Sequence, residues 1–313
     1  MDSKEDYLNA YQVQQIFESK EFNDLEITDL KKKYKSNKDL LESLCKLKEL
    51  QTGLMLNCQL SKDMLDHRGN RIMGWSVGEK RGGFDYFSPL EWIGFGLKVL
   101  NKYDNDNNSW ITLNDKKEWA VAYHGVGRNS DQVGKIVKLI LSGGFKVGSG
   151  QAYKDEDDIL HPGKKVGIGV YFQRNTKVSE CYAGKININE NIYSVILMCK
   201  VNPNNIRAPC SSKDYWILNG TIDEVRPYRI LLKQCKENNN YFFRSLKELS
   251  TKEKFKINKK KSEIIKERKI QKKEILERRN RLRKEKPNNN KEAIKKDLED
   301  MCILGIIMKE EII

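Results

Sequence analysis

The chain has 313 residues, 38% hydrophobic and 33% charged, which is enough for one well-buried domain but too polar for a wholly globular body. Its net charge of +14 is uneven: residues 251–290 hold 17 Lys+Arg against 6 Glu, so attraction to an acidic partner is confined to that tail, and the near-neutral remainder argues against a nucleic-acid-binding core. Seven scattered cysteines without a C-x-x-C pair exclude zinc-ligand spacing and suit reduced thiols in a cytosolic or nuclear protein, while no apolar run has the length of a signal or membrane segment.

Residues 1–66 contain no proline, and their apolar residues recur at helical spacing. The pattern predicts two or three amphipathic helices, broken near 21–29 and 36–37. Leu40, Leu41, Leu44, Leu47, Leu50 and Leu54 suit either a coiled-coil seam, able to pair two copies of the chain, or a face packed on the next domain; both readings stay open. Composition changes near His67. Residues 67–236 hold every tryptophan, all three histidines and most of the glycines, and form the expected folded domain.

Within it, 81–83 and 86–89 read as loop and 92–99 as a strand. Residues 104–108 form a polar turn that lacks the spacing and terminal glutamate of a calcium loop. Residues 119–125 read as a strand. A helix over 131–141 follows, capped by Ser130 and stopped by Gly143-Gly144. The glycine-rich loop 145–151 is no dinucleotide fingerprint, because no strand–turn–helix follows. Gln151 and Tyr153 then lie in a solvated loop, 155–158 in an exposed acidic one, and His161 in a turn. Residues 167–172 are a strand, 176–182 a short helix, 192–201 the clearest buried strand, and 215–218 and 226–232 closing strands. The tail reads as a long basic helix over 247–286 and a short amphipathic helix over 291–313. With one aromatic, Phe255, the first can offer nucleic acid only unspecific, salt-dependent contact through 251–286.

Strand alternation puts Val121 and Tyr123 on one face of 119–125 and Ala122 and His124 on the other. His124 thus reaches the end of a buried strand beside Gly125, and Tyr171 stands on a neighbouring glycine-led strand. That pairing suits a flat polar heterocycle on a sugar.

Several segments in order resemble the catalytic domain of the poly(ADP-ribose) polymerase superfamily of ADP-ribosyltransferases, in a divergent branch associated with ciliates and some fungi. They are Tyr123-His124-Gly125, the Ile/Leu-rich helix ending in Gly143-Gly144-Phe145, Gly167-Ile168-Gly169-Val170-Tyr171-Phe172, Val178-Ser179-Glu180-Cys181-Tyr182, the 194–201 strand and Tyr215-Trp216-Ile217. The resemblance implies an α+β fold: a split antiparallel β-sheet core with short helices, here flanked by N- and C-terminal helical extensions. It implies NAD as substrate and no metal. His124 would bind the nicotinamide ribose, the Gly125 backbone and Ser179 the carboxamide, and Tyr171 and Tyr182 the nicotinamide ring. The glutamate that supports chain elongation in the polymerases is replaced by Tyr215. The implied activity is therefore transfer of a single ADP-ribose to a protein or nucleic-acid acceptor. The alternative is an inactive module of the same fold, with a basic nucleic-acid-binding tail.

Overall fold

A computed structural model describes residues 3–74 and 78–235 of the chain. The two tail helices expected over 247–286 and 291–313 lie outside the described residues.

Four helices open the chain: α1 (Ser3–Phe17), α2 (Lys20–Asp24), α3 (Ile27–Lys33) and α4 (Lys38–Cys58). Their starts follow from local chemistry. The Ser19 hydroxyl accepts the Phe22 N–H and the Asn37 side chain accepts the Leu40 N–H, both at 3.1 Å. The expected break near 36–37 is this Asn37 cap. The expected break over 21–29 contains most of α2 and the start of α3, so the segment has four helices. Leu40, Leu44, Leu47, Leu50 and Leu54 are buried in one cluster with Phe95, Val195 and Leu197 of the sheet. The leucine face thus packs on this chain's own strands, and the helices and the sheet share one core.

The strands are β1 (Arg71–Ile72), β2 (Lys80–Arg81), β3 (Phe84–Asp85), β4 (Ile93–Gly96), β5 (Ala120–Gly125), β6 (Val170–Gln173), β7 (Gly184–Ile188), β8 (Asn191–Val201), β9 (Tyr215–Leu218) and β10 (Val225–Gln234). With α5 (Val133–Gly143) and α6 (Thr176–Glu180) they make an α+β architecture. Eight strands form one antiparallel sheet in the order β1-β4-β10-β8-β5-β6-β9, with β7 also on β8. One edge of β8 runs along β10. The other edge is divided: β7 pairs with 191–195 and β5 with 196–201. The β5 ladder therefore stops at Gly125, opposite Ile196. β6 joins β5 through the single pair Tyr123–Gln173 and then runs along β9.

The faces of β5 are those its alternation predicts. Ala120 and Ala122 face the helix-side core, while Val121 and Tyr123 pack with Trp92, Ile196 and Met198 on the reverse face. Residues 81–83 turn out to belong to the β2–β3 hairpin, with Gly82 and Gly83 at φ 56° and 84°, values that suit glycine in a tight reversal. Pro227 is tolerated inside the central strand β10 because a bulge there interrupts the ladder with β8.

Two further expectations change. The helix α5 begins at Val133 rather than 131, because Ser130 spends its oxygen on the Gln132 N–H, outside the helix. Its stop is as read: Gly144, at φ 79°, returns its N–H to Ile140. In the acidic stretch 155–158, Asp158 is buried, accepting N–H groups from Leu160 and Ala208. The polar turn at 104 is tied down as well. Asp104, Asn105 and Asp106 have φ of 54°, 53° and 66°, and Asp104 takes two 2.7 Å hydrogen bonds from Arg226. Arg226 itself is 2% exposed, its guanidinium 4.3–4.8 Å from the ring centres of Tyr103, Trp110 and Trp119.

If helices and sheet form one cooperative unit, Leu44→Ala and Leu47→Ala should each destabilise the whole domain by about 2–5 kcal/mol. Urea unfolding followed by tryptophan fluorescence checks this, since every tryptophan lies outside residues 1–66. Loss of helical signal with no change in the fluorescence midpoint would show that the helices melt alone.

Candidate functional site

The site lies at the end of β5. The last residues of β5, His124 and Gly125, stay in the ladder with β8, but their other edge is unpaired because the pairing with β6 stops at Tyr123. The Nδ1–H of His124 donates to the Tyr171 carbonyl oxygen at 2.9 Å, because a carbonyl can only accept. The ring is wedged against Phe145 and Phe172, with centroids 5.0 and 5.3 Å away. Burial lowers its pKa, opposed only by the Tyr171 carbonyl. His124 is thus a neutral imidazole at pH 7 in one fixed tautomer, with the lone pair on Nε2 left to accept a ligand hydroxyl.

His124 and Tyr171 do not meet ring to ring. The imidazole lies on the Phe172 side of β6, whereas Tyr171 projects from the opposite face. Register places Gln173 on Tyr171's face, and Tyr215 opposite Gln173 on β9. The two sides meet at the edge of β6, beyond its single pair with β5. There Tyr171, Tyr153 and Tyr215 cluster: Tyr153 lies 5.8 Å from Tyr171 and 5.2 Å from Tyr215, and Tyr171 lies 6.3 Å from Tyr215. The Tyr171 hydroxyl accepts the Tyr153 N–H at 3.0 Å. The Tyr182 and Tyr215 hydroxyls share a 2.9 Å hydrogen bond. Burial, then the bond to Tyr182, raises the Tyr215 pKa, so its phenol stays protonated.

Gly125 is needed for close packing with the end of α6. A β-carbon there would run into the Ser179 carbonyl and stand 2.7 Å from Tyr182 Cβ. Ser179 is fully buried. Its hydroxyl lies 3.0 Å from Gln173 Oε1 and 3.2 Å from the Asn175 carbonyl, so it points into the protein.

Of the residues singled out in the sequence, Tyr171, Tyr182 and Tyr215 thus meet in one cluster. His124 is tied to it through the Tyr171 backbone, and Gly125 and Ser179 support it from below. Tyr153, expected in a solvated loop, joins the cluster. Gln151 anchors that loop by exchanging two hydrogen bonds of 3.0 Å with the Gly169 backbone, as a strand would. Gln173 and Phe145 had no role in the sequence reading. The signal for Gln173 was its position two residues after Tyr171, on the same strand face. His161 bonds Asp158 at 2.7 Å, as a turn residue. Glu224 takes the Asn219 backbone and side chain at 2.6 and 2.7 Å, in the turn before β10. Among the described residues no carboxylate hydrogen-bonds His124 or the four tyrosines, and no group of His, Cys, Asp or Glu could hold a metal ion. No described helix is long and apolar enough to cross a membrane.

No protein-family model matches the chain, and no curated protein does.

Two outcomes follow from this geometry. Gly125→Ala should cost about 1–3 kcal/mol of stability by denaturant unfolding, since the methyl must displace α6. The neutral imidazole sets a pH dependence. The unfolded chain takes up its proton near the ordinary value of 6.5, and the folded chain only lower. His124's contribution to stability is therefore full above 6.5 and is lost as pH falls through the lowered folded value. NMR titration of the imidazole should show that value; a folded pKa at or above 6.5 would refute the neutral assignment.

Proposed function

We propose that the chain is an NAD-dependent mono-ADP-ribosyltransferase that transfers one ADP-ribose to a protein or nucleic-acid acceptor. The observation that carries the reading is the cluster of phenol rings from Tyr153, Tyr171, Tyr182 and Tyr215 at the edge of β6, whose backbone also fixes the neutral imidazole of His124. These groups match the chemistry of the substrate. The Nε2 lone pair of His124 accepts a ribose hydroxyl, and Tyr171 and Tyr182 offer flat faces to a nicotinamide ring. Cleavage at a ribose carbon passes through an oxocarbenium-like state, so the protein's part is to hold both halves of the substrate and keep water away. The aromatic lining suits that part.

Tyr215 sets the limit of the activity. A protonated phenol donates or accepts a hydrogen bond but does not remove a proton from an acceptor hydroxyl at neutral pH. This favours one transfer per site over chain elongation. The same observation supports a second reading. With no carboxylate hydrogen-bonded to His124 or the tyrosines among the described residues, and the Ser179 hydroxyl turned inward, the domain would bind its ligand without turnover.

Nicotinamide release and label transfer from radiolabelled NAD separate the two readings. Wild-type chain with cell extract as acceptor should release nicotinamide and leave a single ADP-ribose per site. His124→Ala and Tyr171→Ala should each reduce release at least tenfold. NAD binding without release would select the binding module, and neither binding nor release would overturn both.

A further inference from the structure

Four cations gather on the face of the sheet opposite His124, where the charge of Arg229 reaches both Arg71 and Lys200. Three of them have carboxylate partners: Arg71 pairs with Glu18, Arg81 with Glu79, and Lys200 with Glu118 at 2.6 Å. Arg229 pairs with no carboxylate among the described residues. It is half-buried on β10, opposite Met198 of β8. Its Nε–H donates to the Gly69 carbonyl at 2.6 Å, and Nη1 lies 3.6 Å from the Met198 sulfur, a weak acceptor. Nη2 makes no hydrogen bond among the described residues, yet it is not sealed from solvent.

The backbone is shaped to hold this side chain. Gly94 on β4 leaves space for its stem, since a β-carbon there would stand 2.4 Å from Arg229 Cδ. The bulge after Pro227 then brings in a neighbour. Consecutive residues of a regular strand face opposite sides, but here the guanidinium carbon of Arg229 lies 5.2 Å from the Tyr228 ring centre. Burial raises the Tyr228 pKa, so the phenol keeps its proton. Its hydroxyl makes no hydrogen bond among the described residues and is likewise not sealed from solvent. Two adjacent residues thus carry unspent donors side by side.

We propose that Arg229 and Tyr228 form an oxyanion site that takes the phosphate or carboxylate group of a small ligand. A guanidinium offers its N–H groups in one plane, spaced to meet two oxygens of such a group, and the phenol adds a further donor. The charges of the cluster point the same way. Four cations against three carboxylates leave one positive charge over, and it belongs to Arg229. A half-buried cation without a counter-ion carries a desolvation cost, which a bound anion offsets and a neutral ligand does not. The site stands apart from the NAD reading, because β10 lies three strands along the sheet from β6 and its tyrosine.

The test titrates sodium phosphate, and separately sodium acetate, into the isotope-labelled full chain, with ionic strength held constant by sodium chloride. The amide NMR shifts of Gly69, Gly94 and residues 228–230 should saturate for at least one of the two anions, with a Kd of about 1 mM or lower. The anion that binds more tightly identifies the group. Arg229→Gln keeps a donor for the Gly69 carbonyl and removes the fork and its charge, and should weaken binding at least tenfold. Tyr228→Phe removes one hydroxyl from an otherwise unchanged ring and should weaken it roughly two- to fivefold. It keeps the proposal open to refutation even if Arg229→Gln unfolds. Shifts that rise without saturation would mark an adventitious ion only. That outcome, or equal saturation in wild type and both variants, overturns the site.

Discussion

A β-strand has two hydrogen-bonding edges, and the middle strand of this protein divides one of them between two neighbours. β5 and β7 meet end to end along β8, each taking part of its length. A ladder cannot continue past the residue where its partner's edge is occupied, so β5 must end at Gly125. The chain then crosses the start of β7 at close range: the Gly184 N–H reaches the Val126 carbonyl at 2.6 Å, and a β-carbon on Gly184 would press on both Val126 and Gly127. His124 lies where this ladder ends, with its other edge free because β6 pairs with β5 only at Tyr123. Its position is set by the backbone, and the functional side chains are arranged around it.

The side chains of the site are polar but uncharged. Burial keeps the imidazole of His124 neutral and the phenol of Tyr215 protonated, for the same physical reason: the charged form of each is the one desolvation opposes. Charges stand around them, with Arg128 near Tyr182, Glu156 acting on Tyr153 and Asp214 on Tyr215. On the reverse face of the sheet, Lys200 and Glu118 are paired at 2.6 Å, and burial lowers the Lys200 pKa to about 8.

How far these features could be read in advance depended on the length and regularity of each element. The six residues of β5 alternate cleanly, so the faces of Val121, Tyr123 and His124 were legible, as was the long apolar β8. The five-residue helix α2 and the two-residue strands β2 and β3 are too short to carry a period. β7 alternates, with Ile186 and Ile188 inward and Lys185 and Asn187 outward, but its polar positions hide it among turn residues. Gln173 and Asp158 were missed because an amide at a strand end and an acid in an acidic run both read as solvated. Each is buried by partners remote in sequence: α6 packs over Gln173, and Ala208 and Leu160 close on Asp158. Similarly, the leucines of α4 announce a packed face without naming what packs on it.

The turn at Asp104–Asp106 has a consequence for how this sequence can change over time. Three successive left-handed residues are unfavourable for any side chain but glycine, and least so for Asn and Asp. Here the unfavourable turn holds the one carboxylate among the described residues that pairs with Arg226, from outside its aromatic surround. Replacing Asp104 alone would strand a sealed cation, and replacing Arg226 alone would remove the ion pair that offsets the unfavourable backbone of the turn. Neither change is easily made first. The pair and its three aromatic neighbours can drift only as a group, so descendants of this chain should keep all five residues or lose them together.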